Sequence, residues 1–264
     1  MQNLAGKVAI VTGASKGMGR HFVHALVAEG MNVAALARPS AELDSLPGEF
    51  ARPCANRVIV VPCDVADPAA VNAAVAATVD RFGRLDVIVN NAAVFSPFPF
   101  ADGSDAVIRG QVEVNILGVA WLIRAAIPHL RATSGQIVTI SSETVRLPYP
   151  MLALYAATKA AIETLSEGLR SELRSENIRV TVLRSGVVAG SSASKGWDPV
   201  IAQRFFEKIV ETGHAAFGGE AATPESMAEA LVALLALPPD VSVDLIELRA
   251  AREGMPEGAK AVAK

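Results

Sequence analysis

Short runs rich in valine and isoleucine alternate along this chain with longer alanine-rich stretches whose apolar residues recur every three to four positions. The short runs are KVAIVTG (7–13), NVAALAR (32–38), RVIVVPCDV (57–65), DVIVNNA (86–92), GQIVTIS (135–141), IRVTVLR (178–184) and VDLIELRA (243–250). Nearly continuous apolar runs of this length belong to strands buried on both faces, as in a parallel sheet covered by helices. Their alternation with helical patterns predicts repeated βαβ units. Asp67 and Pro68 supply an N-cap and a first-turn proline to one helix, which Gly83 closes, and Thr223 and Pro224 open another in the same way. No proline-rich or glycine-serine linker and no internal repeat interrupts the pattern, so residues 1–264 read as one doubly wound α/β domain with a tail from about 252.

Two stretches carry no period. VFSPFPFADGSD (94–105) is rich in proline and phenylalanine, and the segment from about 187 to 220 opens with VVAGSSASKGWDP before a helical run. Both follow strands, at the carboxyl edge where an open α/β sheet places its ligand crevice, and both are expected to be substrate loops.

Composition narrows the class. Hydrophobic residues make up 51% of the 264 and charged residues 19%, enough for a large core. The formal charge of −3 and the lack of a basic run argue against a nucleic-acid partner. No uninterrupted apolar stretch of about eighteen residues is present, and the N-terminal residues lack the basic segment and apolar core of a signal peptide, so a soluble cytoplasmic protein with no membrane partner is expected. Cys54 and Cys63 follow no metal spacing and are expected as reduced thiols, buried or half-buried. His21, His24 and His129 have no mutual spacing suited to a metal, and no metal site is expected.

TGASKGMG (12–19) follows the first strand and opens a helix. Gly13, Gly17 and Gly19 there suit a tight turn, close backbone approach to a ligand and close helix packing, while free N–H groups at the helix start attract phosphate. Further on, LYAATKAA (154–161) sets Tyr155 and Lys159 at i and i+4, on one face of a helix. An isolated pair of this kind also fits a core tyrosine beside a lysine that snorkels to water.

The spacing T-G-x-x-x-G-x-G, NNAA (90–93), Asn115 in VNILG, Ser142 at the end of the fifth strand, and Tyr155 with Lys159 together resemble the short-chain dehydrogenase/reductases over roughly residues 5–190, more weakly to about 250. Ser142 stands thirteen residues before Tyr155, as it does in that family, which favours it over Ser141. The resemblance implies a Rossmann-like sheet of about seven mainly parallel strands in the order 3-2-1-4-5-6-7. It implies NAD(P)-dependent interconversion of an alcohol with a ketone or aldehyde by hydride transfer. Tyr155 would be the general acid or base, Lys159 would lower its pKa and hold the nicotinamide ribose, Ser142 would donate to the substrate oxygen, and Asn115 would keep a proton path open from Lys159 to solvent. An ammonium about 4 Å from a phenol of pKa about 10, at an effective dielectric of about 20, is worth roughly 4 kcal/mol, about three pKa units before desolvation is subtracted. A lowered Tyr155 pKa is therefore expected.

The same resemblance implies a cofactor cradle of Gly13, Ser15, Lys16, Gly17, Met18 and Gly19; Asp64 and Val65 near the adenine; Asn91, Ala92 and Ala93 on the adenine ribose side; and Tyr155, Lys159, Gly186 and Val188 at the nicotinamide. Where an aspartate would bind the adenosine 2′-hydroxyl, this chain has Ala37 followed by Arg38, and Lys16 adds a second cation. Each could be a solvated surface charge, but together they suit a 2′-phosphate, so NADP(H) is expected over NAD(H). The chain departs from the family pattern at Ala93, at Ser185, at Gly190, where Ser191 or Ser192 are candidate replacements for a carboxamide-binding threonine, and in the last strand, IELRAA.

Val94, Phe95, Phe98, Phe100, Tyr149, Trp197, Phe205 and Phe206 suggest an apolar or cyclic substrate, although they could equally serve the core or an interface. Arg146, Lys195 and His214 could instead recognise an anion. A homodimer or homotetramer is expected from the resemblance, through helices around 107–130 and 153–174. The competing class is an inactive NADP(H)-sensing protein on the same fold.

Overall fold

The computed structural model describes residues 1–52, 54–190 and 196–263. Seven strands, β1 (Val8–Thr12), β2 (Asn32–Ala37), β3 (Val58–Pro62), β4 (Val87–Asn90), β5 (Gln136–Ser142), β6 (Arg179–Ser185) and β7 (Leu245–Leu248), form one sheet. Every pairing is parallel and the order is β3-β2-β1-β4-β5-β6-β7, as expected. The helices are α1 (Gly17–Ala28), α2 (Ala41–Ser45), α3 (Pro68–Phe82), α4 (Asp105–Val112), α5 (Gly118–Thr133), α6 (Ala153–Leu173), α7 (Pro199–Glu211), α8 (His214–Gly218), α9 (Pro224–Leu235) and α10 (Glu257–Val262).

β1 explains why the strand runs read as almost wholly apolar. Its Ala9 and Val11 join Phe22, Val23 and Leu26 of α1 and Leu231 and Leu235 of α9 in one core cluster. Val8 and Ile10 point the other way, to Val71 and Val75 of α3, Leu122 and Ile123 of α5 and Ile162 of α6. Both alternating sets must be apolar because helices cover both faces. The signalled helix ends are also in place: the Asp67 side chain accepts from the Ala69 N–H, the Thr223 side chain accepts from the Ser226 N–H, and Gly83 ends α3 at a φ of 77°.

α4 and α5 are joined by a π-helical turn, Glu113–Leu117. The resulting continuous helix, Asp105–Thr133, is long and apolar enough in composition to cross a membrane. Its Val119, Leu122, Ile123, Ala126 and Leu130 are nevertheless buried against the sheet. Cys54 is half-buried and Cys63 buried, both as free thiols, and burial pushes the Cys63 thiol up to about 11.

Register brings the chemistry to one edge. Ser142 pairs with Ser185, so the carboxyl ends of β5 and β6 finish together, while Asn90, the last residue of β4, pairs with Thr139, three residues before the end of β5. Gly13, Arg38, Asp64, Asn91, Ser142 and Gly186 all lie at or just beyond strand ends on that edge.

Candidate active site

The glycine loop between β1 and α1 is held to the end of β4 by a side-chain lock. Thr12 Oγ1 accepts from the backbone N–H groups of Asn91 and Ala92, both at 3.0 Å, and Asn91 Nδ2 donates to the Thr12 carbonyl at 2.9 Å. Gly17 takes a φ of 55°, which L side chains rarely adopt, and nothing stands within 4 Å of where its Cβ would be. At Gly19 a Cβ would lie 2.2 Å from the Gly13 carbonyl oxygen, so only glycine lets α1 start this close to the loop. The result is a helix N-terminus behind a bare backbone turn, a shape that fits a diphosphate. Ser15 contributes its carbonyl to Arg20 at 2.8 Å, which ties the loop toward α2, and Met18 is half-buried against the core. The Lys16 and Arg38 side chains are exposed and make no hydrogen bond or ion pair among the described residues. Asp64 is exposed at the end of β3, where its side chain accepts from the Ala66 N–H, while Val65 is buried against Gly118.

Ser142, Tyr155 and Lys159 meet where β5 faces α6. Ser142 Oγ accepts from the Thr144 N–H at 3.2 Å and the Thr144 hydroxyl at 3.0 Å, which leaves its own proton to donate. Lys159 is buried, donates to the Ile140 carbonyl at 2.8 Å, and stands 5.7 Å from the centroid of the Tyr155 ring. Asn115 is fully buried in the π turn; its Oδ1 accepts from the Val94 N–H at 2.9 Å, and its Nδ2 donates to the Val94 carbonyl at 2.8 Å and to Thr158 Oγ1 at 3.1 Å.

The pKa expectation is reversed here. Burial pushes the Tyr155 phenol up to about 12, against a hydrogen bond from Ser142 and with the nearby Glu143 charge adding to the rise. Lys159 is brought down to about 8, also by burial, and Glu163 opposes that fall. The expected lowering is reckoned before desolvation is subtracted, and desolvation is the larger effect here, while the ammonium is turned to the Ile140 carbonyl.

Aromatic rings wall this corner. Phe95 lies 4.8 Å from Tyr155 between centroids, Trp197 stands edge-on to Phe95 at 5.5 Å and donates to its carbonyl at 3.2 Å, and Phe205 stands edge-on to Trp197. Tyr149, Leu152, Met151 and Phe206 join the same cluster, as do Met255 and Ala259 from the C-terminal segment. Met151 holds a φ of 65° and its carbonyl accepts from the Phe98 N–H, which pins the 94–105 loop. Phe100, in contrast, is 66% exposed and stacks only on Phe98.

Residues 7–199 match the family model described as short chain dehydrogenase. The chain belongs to the short-chain dehydrogenase family. It is 34% identical over 189 residues to 11-beta-hydroxysteroid dehydrogenase-like 3 of Arabidopsis thaliana, covering 71% of this chain and 61% of that plant protein. An uncharacterized oxidoreductase of Staphylococcus haemolyticus is 30% identical over 94% of this chain and 99% of its own. Among solved structures, an alcohol dehydrogenase from Thermococcus sibiricus complexed with 5-hydroxy-NADP superposes with a TM-score of 0.79 at 29% identity, covering 93% of this chain and 97% of that one. A 3-ketoacyl-(acyl-carrier-protein) reductase from Brucella melitensis complexed with NADH gives 0.80 at 27% identity over 94% and 99%.

Within this short-chain dehydrogenase the departures from the pattern take definite forms. Ala93 is exposed and is not among the residues of positive φ, so it needs no glycine-like backbone. Ser185 donates to the carbonyl of Gly186, and the Gly186 N–H donates to Leu248, so β6 and β7 stay paired without a proline. Val188 forms a bridge with Ala222. Ser191, Ser192 and Lys195 lie outside the described residues. Of the proposed anion readers, Arg146 pairs with Glu247 at 3.1 Å and His214 bonds Thr212 at 2.8 Å. His24 bonds Glu49 at 2.7 Å and His21 lies 3.4 Å from Glu225, surface pairings both, and no metal-holding cluster occurs among the described residues.

Sequence reading missed Thr12, Thr158 and the group formed by buried Ser141 with half-buried Glu163 and Arg184. Thr12 had a signal, the residue preceding the first glycine of the loop. Nothing in the spacing couples Glu163 to Arg184, twenty-one residues apart on a helix and a strand.

Proposed function

We propose that this chain interconverts a carbonyl compound and an alcohol, with NADPH preferred over NADH and Tyr155 as the general acid or base. The observation that carries the reading is the convergence of Ser142, Tyr155 and Lys159 on the carboxyl edge of the sheet, beneath a wall of Phe95 and Trp197. When bound, the dinucleotide supplies or accepts the hydride. The glycine loop and the α1 N-terminus hold its diphosphate, and Lys159 with Tyr155 orients the ribose beside the nicotinamide. Ser142 donates to the substrate oxygen and stabilises the charge that grows there. Tyr155 gives that oxygen its proton, and a phenol near 12 holds the proton throughout the neutral range. The rings of Phe95, Trp197, Phe205 and Phe206 exclude water and suit an apolar or cyclic substrate. Exposed Val107 and Leu117 on the long helix support association of copies along that helix.

The test is loss of NADPH, and of NADH in parallel, with a panel of apolar ketones, aldehydes and keto acids. Turnover preferring NADPH supports the reading; binding of NADPH without turnover of any carbonyl favours a sensor. Arg38→Ala removes an exposed guanidinium that would pair with the 2′-phosphate, and is expected to raise KM for NADPH about tenfold, leaving KM for NADH within about twofold. Equal effects on both cofactors would refute the assignment.

The C-terminal segment gives a second check on the substrate wall. Ala259 is fully buried and Gly258 lies against the Phe206 ring, so α10 braces α7. Deleting residues 252–264 withdraws apolar contacts worth about 1.5 kcal/mol and is expected to raise KM for the carbonyl substrate about tenfold while NADPH affinity is retained, as read by steady-state kinetics.

A further inference from the structure

Lys159 owes its position to the end of β5, where the Ile140 carbonyl receives its ammonium at 2.8 Å. The next residue, Ser141, points its hydroxyl at α6 and donates to Glu163 Oε1 at 2.5 Å. Glu163 is four residues beyond Lys159, on the same face of α6 and one turn away. Arg184, the register partner of Ser141 on β6, grips both oxygens of that carboxylate at 3.0 and 2.6 Å. Glu247 of β7 holds the other side of the guanidinium at 2.9 Å, and Arg146 and Arg249 flank Glu247 in turn. The side chains of Glu163 and Arg184 are only 14% and 12% exposed. A ladder of charge thus crosses three strand ends and finishes on the helix that carries the site's lysine.

We propose that Glu163 is a positioning residue for Lys159, clasping the end of β5 to α6 through Ser141 and Arg184 and keeping a carboxylate one helical turn from the ammonium. What Lys159 does rests on the reductase reading above; where it is held does not. Stability alone is a poor reason for such a group, because desolvating a buried ion pair offsets most of its attraction. Its charge does have a task here. Burial lowers the Lys159 pKa, and Glu163 is the charge that opposes the fall. The other charged groups on the packed elements are Glu143 after β5, which acts on Tyr155, Arg184 on β6 and Glu247 on β7; the π turn buries the neutral Asn115, while its Glu113 is exposed.

The experiment titrates Lys159 in the intact chain by the carbon-13 signal of its Cε, assigned with Lys159→Met, and records the pH dependence of kcat/KM alongside. Glu163→Gln keeps the size of the side chain and is expected to move the Lys159 titration down by about one pH unit, with the basic limb of kcat/KM following and KM for NADPH within about twofold. Because that variant leaves Arg184 with Glu247 alone, the pair Glu163→Gln with Arg184→Met removes both charges and should titrate between the wild type and the single variant. A Lys159 titration unmoved in both variants, with only their melting temperatures lowered, would make the clasp purely structural and overturn the proposal. A wild type that reduces no carbonyl sinks the reductase reading instead, and the titration still decides the role of Glu163.

Discussion

Tyr155→Phe is expected to lower kcat/KM for carbonyl reduction about 10³-fold while NADPH binds within about twofold of the wild type. The substitution keeps the ring, so the contact with Phe95 at 4.8 Å between centroids survives, and the only loss is the hydroxyl that hydrogen-bonds with Ser142. In the proposed mechanism that hydroxyl is the proton source in the reductive direction. Burial lifts its pKa to about 12, so the proton is in place at neutral pH and reduction needs no ionisation of Tyr155. Lys159, near 8, is charged below that pH and loses its charge above it. Reduction by the wild type should therefore hold level through the neutral range and decline as the pH rises past about 8. Alcohol oxidation, which needs the phenol to release a proton, should increase with pH over the same interval. Steady-state rates in both directions, with cofactor affinity from fluorescence titration, check the set; a Tyr155→Phe variant with more than a tenth of the wild-type rate would remove the proposed acid and base.

The strands were legible because burial on both faces leaves an unbroken apolar run, as Val8 to Val11 illustrate with alternate residues in two different clusters. The glycine loop was legible for a related reason: Gly17 and Gly19 answer to backbone geometry and close approach, constraints that act within a few residues. What depends on the third dimension was not. Thr158 reads as an ordinary helix threonine, yet it accepts from Asn115 and donates to the Tyr155 carbonyl at 2.7 Å. Glu163 and Arg184 read as solvated charges on separate elements until the sheet register sets Arg184 beside Ser141. The sign of the Tyr155 shift failed for the same reason, since desolvation is set by the packed surroundings and not by the i, i+4 neighbour. α10 escaped notice because a six-residue helix has too few turns to display a period, although its Ala259 is fully buried.

Asn115→Leu is expected to destabilise the fold by about 3 kcal/mol, because the two half-buried backbone groups of Val94 lose their partners at about 1–3 kcal/mol each. The family resemblance implies a proton-path role for this residue; the geometry gives it a structural one as well. Its amide reads both the N–H and the carbonyl of Val94, a pairing that strands normally supply, and it reaches Thr158 on α6 with its remaining donor hydrogen. The π turn is what makes this possible: the extra residue in the turn aims the side chain at Val94 and α6, where it is fully buried. Leucine matches the size but offers neither donor nor acceptor, so the start of the 94–105 loop loses its anchor and Phe95 its fixed place against Tyr155. A fall of about 10²-fold in kcat/KM should accompany the loss of stability, because small misplacements at a reacting centre are costly. Asn115→Asp retains an acceptor for the Val94 N–H and gives up both donors, so it should fall between leucine and wild type in both respects. Urea midpoints and kinetics on the two variants make the comparison; a leucine variant within about 0.5 kcal/mol of wild type would mean that Val94 finds its hydrogen bonds elsewhere and that the clamp does not position Phe95.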